Sequence, residues 1–229
     1  SLPAFIQGSG QTSIPLQFAP HQSFFIVFKK GEIQAPVPGK ENFPVVTNIA
    51  TLNAPWVVAF DSKWGGPEKI VFDKLEDWTT RPEEGIKYYS GIAAYSQQFD
   101  LPEVDTKNKN APIMLDLGEV KNLARVKLNG KDLGVVWTAP WQVDITGVVK
   151  PEKNMLEITV ANLWPNRLIG DEQLPDDGIK NGQWPDWLLQ GKPRTSGRFT
   201  FTTYKHYQKD APLLKSGLMG PVTIKQAEF

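Results

Sequence analysis

The residues whose types suit chemistry best lie in one long stretch, residues 162–216, where tryptophan, arginine and acidic side chains alternate with glycine and proline. A pyranose ring presents an apolar C–H face and a rim of hydroxyl groups, so a sugar site combines an aromatic side chain with amide, carboxylate, guanidinium or imidazole groups. This stretch supplies both kinds of group. The candidate carbohydrate-binding residues are Asn162, Trp164, Asn166, Arg167, Trp184, Trp187, Arg194 and His206.

The same residues have a second interpretation, in which they only fold the stretch onto the rest of the protein. Tryptophans can bury a long loop against a sheet, and Arg167 or Arg194 can pair with Asp171 or Asp177. The sequence leaves both interpretations open. It argues against disorder in either case, because several tryptophans and several Arg–Asp combinations favour a folded segment.

Two acidic pairs, Asp171-Glu172 and Asp176-Asp177, are candidates for hydrolysis of a glycosidic bond. That reaction needs two carboxyl groups about 5 to 10 Å apart, one of them with a raised pKa. Both pairs lie in polar sequence interrupted by glycine and proline, where carboxylates are usually solvated or paired with arginine. We therefore predict no catalytic residue in this chain. We also predict no cofactor, because Asp176-Asp177 lacks the spaced ligands of a calcium loop, which leaves Ca²⁺ a weak alternative.

The composition argues against several classes of function. Lysine and arginine (25) balance aspartate and glutamate (25), so the positive footprint of a nucleic-acid or anionic-membrane binder is missing. No apolar run approaches the roughly 20 residues that span a bilayer, and we expect no membrane insertion. The chain has no cysteine, which removes thiol catalysis, thiolate metal sites and disulfides.

The elements that must position these residues are β-strands, and the organising stretch is 123–146. Val126 and Leu128 alternate with charged residues, the period of a half-buried strand, and Asn129-Gly130 is the residue pair of a tight hairpin turn. An aromatic corner with Trp137, Pro140 and Trp141 follows the return strand. Further strands are predicted at 52–61, 70–73, 92–101, 113–117, 155–161 and 222–224, with a strand-like run at 199–204 and one helical turn at 74–78.

The beginning of the chain has a different organisation. Apolar runs at 14–18 and 24–28, separated by the turn residues 19–22, predict an N-terminal β-hairpin, and the proline- and glycine-rich residues 31–42 have linker composition. We predict that residues 1–35 are the hairpin tail of a preceding β-domain with its linker. Residues 36–229 then form the β-sandwich. An edge hairpin of that same sandwich is an equal alternative for the first residues.

A family resemblance rests on the order and spacing of short motifs. YSG at 89–91, LDLG at 115–118, VKLNGK at 126–131, VDIT at 143–146, NMLEI at 154–158 and SGLMGPVTI at 216–224 resemble the jelly-roll sugar-binding domain of family 2 glycoside hydrolases. WTAPW at 137–141, NLWPNRLIGDE at 162–172 and RTSGRF at 194–199 resemble the C-terminal region of bacterial α-L-rhamnosidase-like enzymes of glycoside hydrolase family 106. The similarity spans most of residues 52–224.

The resemblance implies an all-β fold, a galactose-binding-domain-like jelly-roll β-sandwich with a long irregular loop and an N-terminal β-hairpin. It also implies that the catalytic acid and base lie on a barrel of the same parent chain, outside this sequence. The chain would then be a non-catalytic accessory region of a larger, periplasmic or secreted glycoside hydrolase that degrades polysaccharide. Its expected partners are the barrel and carbohydrate. In family 2 relatives the loop matching residues 162–167 reaches toward the active site.

Two other functions remain open from the sequence. An autonomous carbohydrate-binding module would bind polysaccharide through Trp184 and Trp187. A stand-alone glycosidase would need the acidic stretch to hold a working carboxyl pair. The signal peptide of an exported parent would be absent from this chain, because Ser1 opens without a basic and apolar leader.

Overall fold

The structure is a computed structural model that describes residues 2–18, 22–28, 35–101 and 111–228. These residues contain short helices and many strands. The strands are β1 Ile6–Gly8, β2 Gln11–Ser13, β3 Val45–Thr51, β4 Trp56–Phe60, β5 Ile70–Phe72, β6 Ile92–Phe99, β7 Ile113–Asp116, β8 Glu119–Lys121, β9 Leu123–Leu128, β10 Lys131–Val136, β11 Gln142–Asp144, β12 Asn154–Ala161, β13 Gly217–Gly220 and β14 Thr223–Glu228. The α-helices are α1 Glu84–Lys87, α2 Pro165–Asp171 and α3 Asp186–Leu189.

Two antiparallel sheets form the body of the protein. The larger sheet has the strand order β10-β9-β12-β6-β4-β5, and the smaller has the order β11-β7-β14-β3. Two-stranded sheets, β1-β2 and β13-β8, lie outside them. Strands that are far apart in the chain are therefore neighbours in each sheet. The predicted all-β sandwich is confirmed.

The core forms where the inward faces of the two sheets meet. Along β6 and β12 every second side chain is buried, and the register places Ile158 opposite both Tyr95 and Val126. Leu115 and Ile224 contribute to the same core from the smaller sheet. Each fully buried apolar side chain contributes about 1.5–3 kcal/mol relative to an exposed one, so the alternating pattern itself stabilises the sandwich. The predicted hairpin turn is also present, with Asn129 and Gly130 at positive φ.

Several local predictions are wrong. The N-terminal hairpin is formed by β1 and β2, whereas the described residues of 14–18 and 24–28 are not strands; part of the predicted turn at 19–22 lies outside the described residues. Residues 199–204 are not a strand either. The strand β3 and the helix α2 were not predicted, because β3 is largely exposed and has no apolar alternation, and α2 is too short for a visible helical period.

The position of the long irregular segment follows from the sheet. Strand β12 lies between β6 and β9 in the larger sheet. Where β12 ends at Ala161, the chain continues as residues 162–216 and then returns as β13.

None of the helices among the described residues has the length and apolar character needed to cross a membrane.

Candidate carbohydrate-binding site

Two of the predicted site residues fasten the long segment to the sandwich. The Asn162 side chain accepts a hydrogen bond from the Gly91 N–H (2.9 Å) and donates one to Ser216 Oγ (3.0 Å). The Asn166 Nδ2 donates to the Leu214 carbonyl (2.7 Å) and to Ser216 Oγ (3.0 Å), and its Oδ1 accepts from the Leu214 N–H (2.8 Å). The beginning and the end of the segment are thereby joined. Both side chains therefore help to fold the segment.

Arg167 is buried, has an acidic partner, and has the Phe199 ring against its guanidinium, with Cζ 4.7 Å from the ring centre. Arg167 is 4% exposed, and its Nε donates to Asp171 Oδ1 at 3.1 Å. Asp171, which is 2% exposed, also accepts from the Thr200 N–H (2.7 Å) and hydroxyl (2.6 Å). Burial lowers the pKa of Arg167. Its Nη atoms donate to no acceptor among the described residues, so the charged group keeps hydrogen-bonding capacity.

Trp164 lies beside Arg167 and is open to solvent. Trp164 is 51% exposed, and its ring meets the Trp64 ring edge-on at a centroid distance of 5.5 Å. Because Trp164 and Arg167 are three residues apart at the start of α2, they share one face of its first turn. Ser90 joins them, since its hydroxyl accepts from the Arg167 N–H (3.0 Å) and donates to the Trp164 carbonyl (3.3 Å). Ser90 thus fixes the backbone positions that carry an exposed indole ring and a buried guanidinium.

A second group of predicted residues lies around Asp177. Arg194 donates to both carboxylate oxygens of Asp177, at 2.7 and 2.8 Å, and its Cζ lies 5.2 Å from the centre of the Trp187 ring. The Trp187 indole N–H donates to the Asp177 carbonyl at 2.9 Å. The hydrogen bonds from Arg194 lower the pKa of Asp177 to about 2. Trp187 and Arg194 are therefore parts of a folded scaffold.

Trp184 packs against that scaffold. Its ring stacks on Phe201 at a centroid distance of 5.9 Å and an interplanar angle of 23°, while Trp187 meets Phe201 edge-on at 5.8 Å. We call the stacked pair the Trp184–Phe201 platform. Trp184 remains 48% exposed. Phe201 therefore covers only part of Trp184, and aromatic surface of Trp184 remains accessible to solvent.

His206 belongs to a small cleft next to the platform. The cleft has a volume of about 70 Å³, and its lining includes Ile179, Phe201, Thr202, Tyr204, Lys205 and His206. The His206 ring meets the Tyr204 ring edge-on at 5.1 Å. The eight predicted residues therefore fall into two groups: Asn162, Trp164, Asn166 and Arg167 at the start of the segment, and Trp184, Trp187, Arg194 and His206 near the cleft.

The acidic pairs are engaged in ion pairs. Glu172 pairs with Arg198 at 2.9 Å, and Asp176 pairs with Lys205 at 3.1 Å. Hydrogen bonds, first from the Gly178 N–H and then from Lys205, lower the pKa of Asp176, and the pKa of Asp177 is lowered as well. A general acid for glycoside hydrolysis needs the opposite shift. Within the described part of the chain, no cluster of three or more His, Asp or Glu side chains is placed to hold a metal ion.

Several residues that shape this region were not predicted from the sequence. Ser90 and Ser216 hold the segment in place, and Phe201 and Trp64 support the two exposed tryptophans. Ser90 and Ser216 do occur in the motifs that carry the family resemblance, but their partners are distant in the chain. No local pattern identifies such pairs.

Comparisons with known proteins identify what this architecture resembles. Residues 83–196 match the family model described as the glycosyl hydrolase 2 galactose-binding domain-like family. A curated relative from Formosa agariphila, named "Putative beta-glucuronidase", is 42% identical over an alignment of 217 residues that covers 87% of this chain and 19% of the relative. A rhamnosidase from Novosphingobium sp. PP1Y of known structure is 35% identical with a TM-score of 0.79, covering 97% of this chain and 19% of the enzyme. The chain spans about a fifth of the length of each.

Proposed function

We propose that the chain is the non-catalytic β-sandwich region of a larger, exported glycoside hydrolase, because residues 83–196 match the glycosyl hydrolase 2 galactose-binding domain-like family. The match over nearly the whole chain to a rhamnosidase about five times longer supports this role. The carboxylates of Asp176 and Asp177 support it too, because their ion pairs and hydrogen bonds lower the pKa of each, whereas a catalytic acid needs a raised pKa. The acid and base of the parent enzyme then lie on its catalytic domain.

The role of the sandwich is to support the catalytic domain and to add contacts to the bound glycan at the start of the long segment. The observation that carries this proposal is Arg167, whose side chain is nearly buried while its Nη atoms have no acceptor among the described residues. Among those residues Gln97 Oε1 is the one buried side-chain polar atom without a partner, so the Nη atoms of Arg167 remain accessible to solvent or to a ligand. Sugar hydroxyl oxygens are suitable acceptors, and the exposed Trp164 ring beside them suits the apolar face of the same sugar.

For the substrate we propose an α-L-rhamnoside. The support is the likeness to a rhamnosidase in both sequence and structure, which extends over 97% of this chain. A β-glucuronide is the second candidate, favoured by the 42% identity to the Formosa agariphila protein with that name. The rhamnoside is neutral and the glucuronide is anionic, so hydrolysis assays with one substrate of each kind distinguish the two candidates.

The first test uses the isolated chain and two chromogenic substrates, an aryl α-L-rhamnoside and an aryl β-D-glucuronide. We expect no release of the aryl group from either. Release that survives purification and is lost in an Asp171→Asn variant would contradict a non-catalytic role.

The second test is a chimera in which this chain replaces the matching fifth of the Novosphingobium sp. PP1Y rhamnosidase. We expect hydrolysis of the aryl rhamnoside, with kcat/KM lowered about 10- to 100-fold by Arg167→Met, because a buried hydrogen bond to substrate is worth about 1.5–3 kcal/mol when one partner is charged. Arg125→Met is the matched control, since Arg125 pairs with Asp132 on the exposed face of the sandwich. Equal kcat/KM values for the two variants would contradict the role of Arg167.

A further inference from the structure

The Trp184–Phe201 platform has an exposed aromatic face that the structure holds in a defined position. Arg194 Nη1 donates to the carbonyls of Thr200 (2.7 Å) and Arg198 (3.2 Å), which fixes the backbone immediately before Phe201. Thr200 is also held by the buried Asp171 through its N–H and its hydroxyl. Phe201 is therefore anchored to the buried part of the protein. A ring that is already positioned loses little conformational entropy when a ligand stacks on it.

The polar groups that such a ligand needs lie in the adjacent cleft. Phe201 lines both the platform and the cleft, and Thr202, Lys205 and His206 line the cleft with polar atoms. The cleft, at about 70 Å³, is much smaller than the roughly 300–1,000 Å³ pockets that enclose whole small-molecule ligands. It therefore accepts a substituent of a sugar, while the sugar ring itself stays outside on Trp184.

The charges around the cleft select against an acidic sugar. The carboxylates that line it are Asp171, Glu172, Asp176 and Asp177, and their respective partners are Arg167, Arg198, Lys205 and Arg194. Each carboxylate thus has its own cation, and the lining has no surplus of lysine or arginine to receive a uronate carboxylate. A neutral, hydroxyl-bearing ligand needs no unpaired lysine or arginine.

We infer that the Trp184–Phe201 platform and its cleft form a binding site for a neutral pyranose unit of a polysaccharide, apart from the contacts of Trp164 and Arg167. The apolar face of the sugar stacks on the exposed face of Trp184, and one of its hydroxyl-bearing substituents enters the cleft. The inference rests on the proposed function, because it assigns a second glycan contact to the same non-catalytic region. The expected sugar is uncharged and has an unhindered C–H face.

The experiment is a calorimetric titration of the intact chain with neutral oligosaccharides of glucose, xylose and rhamnose, and with an oligogalacturonate. We expect saturable binding of at least one neutral oligosaccharide and weaker or no binding of the oligogalacturonate. Trp184→Ala should weaken binding about tenfold or more, as truncation of a central aromatic anchor does. Trp184→Phe, which keeps an aromatic face, should restore most of the affinity.

Trp137→Ala is the matched control, because Trp137 is 73% exposed and lies in the aromatic corner after β10. Its affinity should equal that of the unchanged chain. Three outcomes overturn the inference: no saturable binding of any neutral oligosaccharide, equal affinity of Trp184→Ala and the unchanged chain, or tighter, salt-sensitive binding of the oligogalacturonate. The proposed function is judged separately, because its Arg167 comparison measures hydrolysis of a monosaccharide glycoside by the chimera.

Discussion

The sandwich and the segment of residues 162–216 are stabilised in different ways. In the sandwich, apolar side chains such as Ile158 alternate along paired strands, and stability is spread over many similar contacts. In the segment, a few buried or partly buried polar groups hold long irregular backbone, chiefly Asn162, Asn166 and Asp171. The sandwich therefore tolerates the loss of one contact, whereas the segment depends on single residues. This difference leaves aromatic side chains of the segment free to face solvent.

The largest effect is expected at Asp171. Asp171→Ala removes the partner of the buried Arg167 and the acceptor of Thr200, and breaking a buried ion pair by removing one partner costs about 3–5 kcal/mol. Urea unfolding followed by tryptophan fluorescence measures this change in the free energy of unfolding. Asp132→Ala, which breaks the exposed pair with Arg125, is the control and should unfold as the unchanged chain does. Equal losses in the free energy of unfolding for the two variants would contradict the proposed difference between the sandwich and the segment.

Asn166→Ala should loosen the segment while the sandwich stays folded. The variant leaves the Leu214 N–H without its acceptor and removes one hydrogen bond each from the Leu214 carbonyl and Ser216 Oγ, a loss of about 1–3 kcal/mol. We expect faster cleavage by a protease within residues 172–214, measured by mass spectrometry of the fragments. Gln190→Ala, an exposed residue of the same segment, is the control. Cleavage that begins in the strands of the sandwich would contradict the separation of the two regions.

Ile158→Val tests how the sandwich distributes its stability. Removing one methylene from this fully buried side chain should cost about 0.5–1.5 kcal/mol in the free energy of unfolding, because neighbouring side chains relax around the small cavity. The dependence of that free energy on urea should not change. A loss as large as that of Asp171→Ala would show that single apolar contacts matter as much as the polar anchors.

The smallest effect is a pH dependence at Asp177. Its folded pKa of about 2 lies below the unfolded value of about 3.9, so its pairing with Arg194 stabilises the fold above about pH 4, and that contribution is lost as the pH falls through about 2. The indole N–H resonance of Trp187, which is hydrogen-bonded to the Asp177 carbonyl, reports the change by NMR. In Asp177→Asn this resonance should not titrate in the same range. A transition at the unfolded pKa would contradict the pairing.

The sandwich was largely predictable from the sequence because its signals are local. Alternation of apolar and polar residues identified β6, β9 and β12, and Asn129-Gly130 identified the hairpin between β9 and β10. Strand β3 gave no such signal, since its pairing with β14 holds it in place while most of its side chains remain exposed. Local patterns report burial, so a strand without a buried face is missed.

The candidate site was predictable in its residue types but not in its arrangement. The sequence by itself determined that residues 162–216 contain aromatic, amide and guanidinium groups, and that the sheets on either side are built from alternating strands. Only the tertiary structure decided that Asn162 and Asn166 are anchors, that Arg167 keeps free donors, and that Trp184 stacks on Phe201. A hydrogen bond such as that between Ser90 and Trp164 joins residues 74 positions apart, and its formation depends on how the sheets bring distant backbone together.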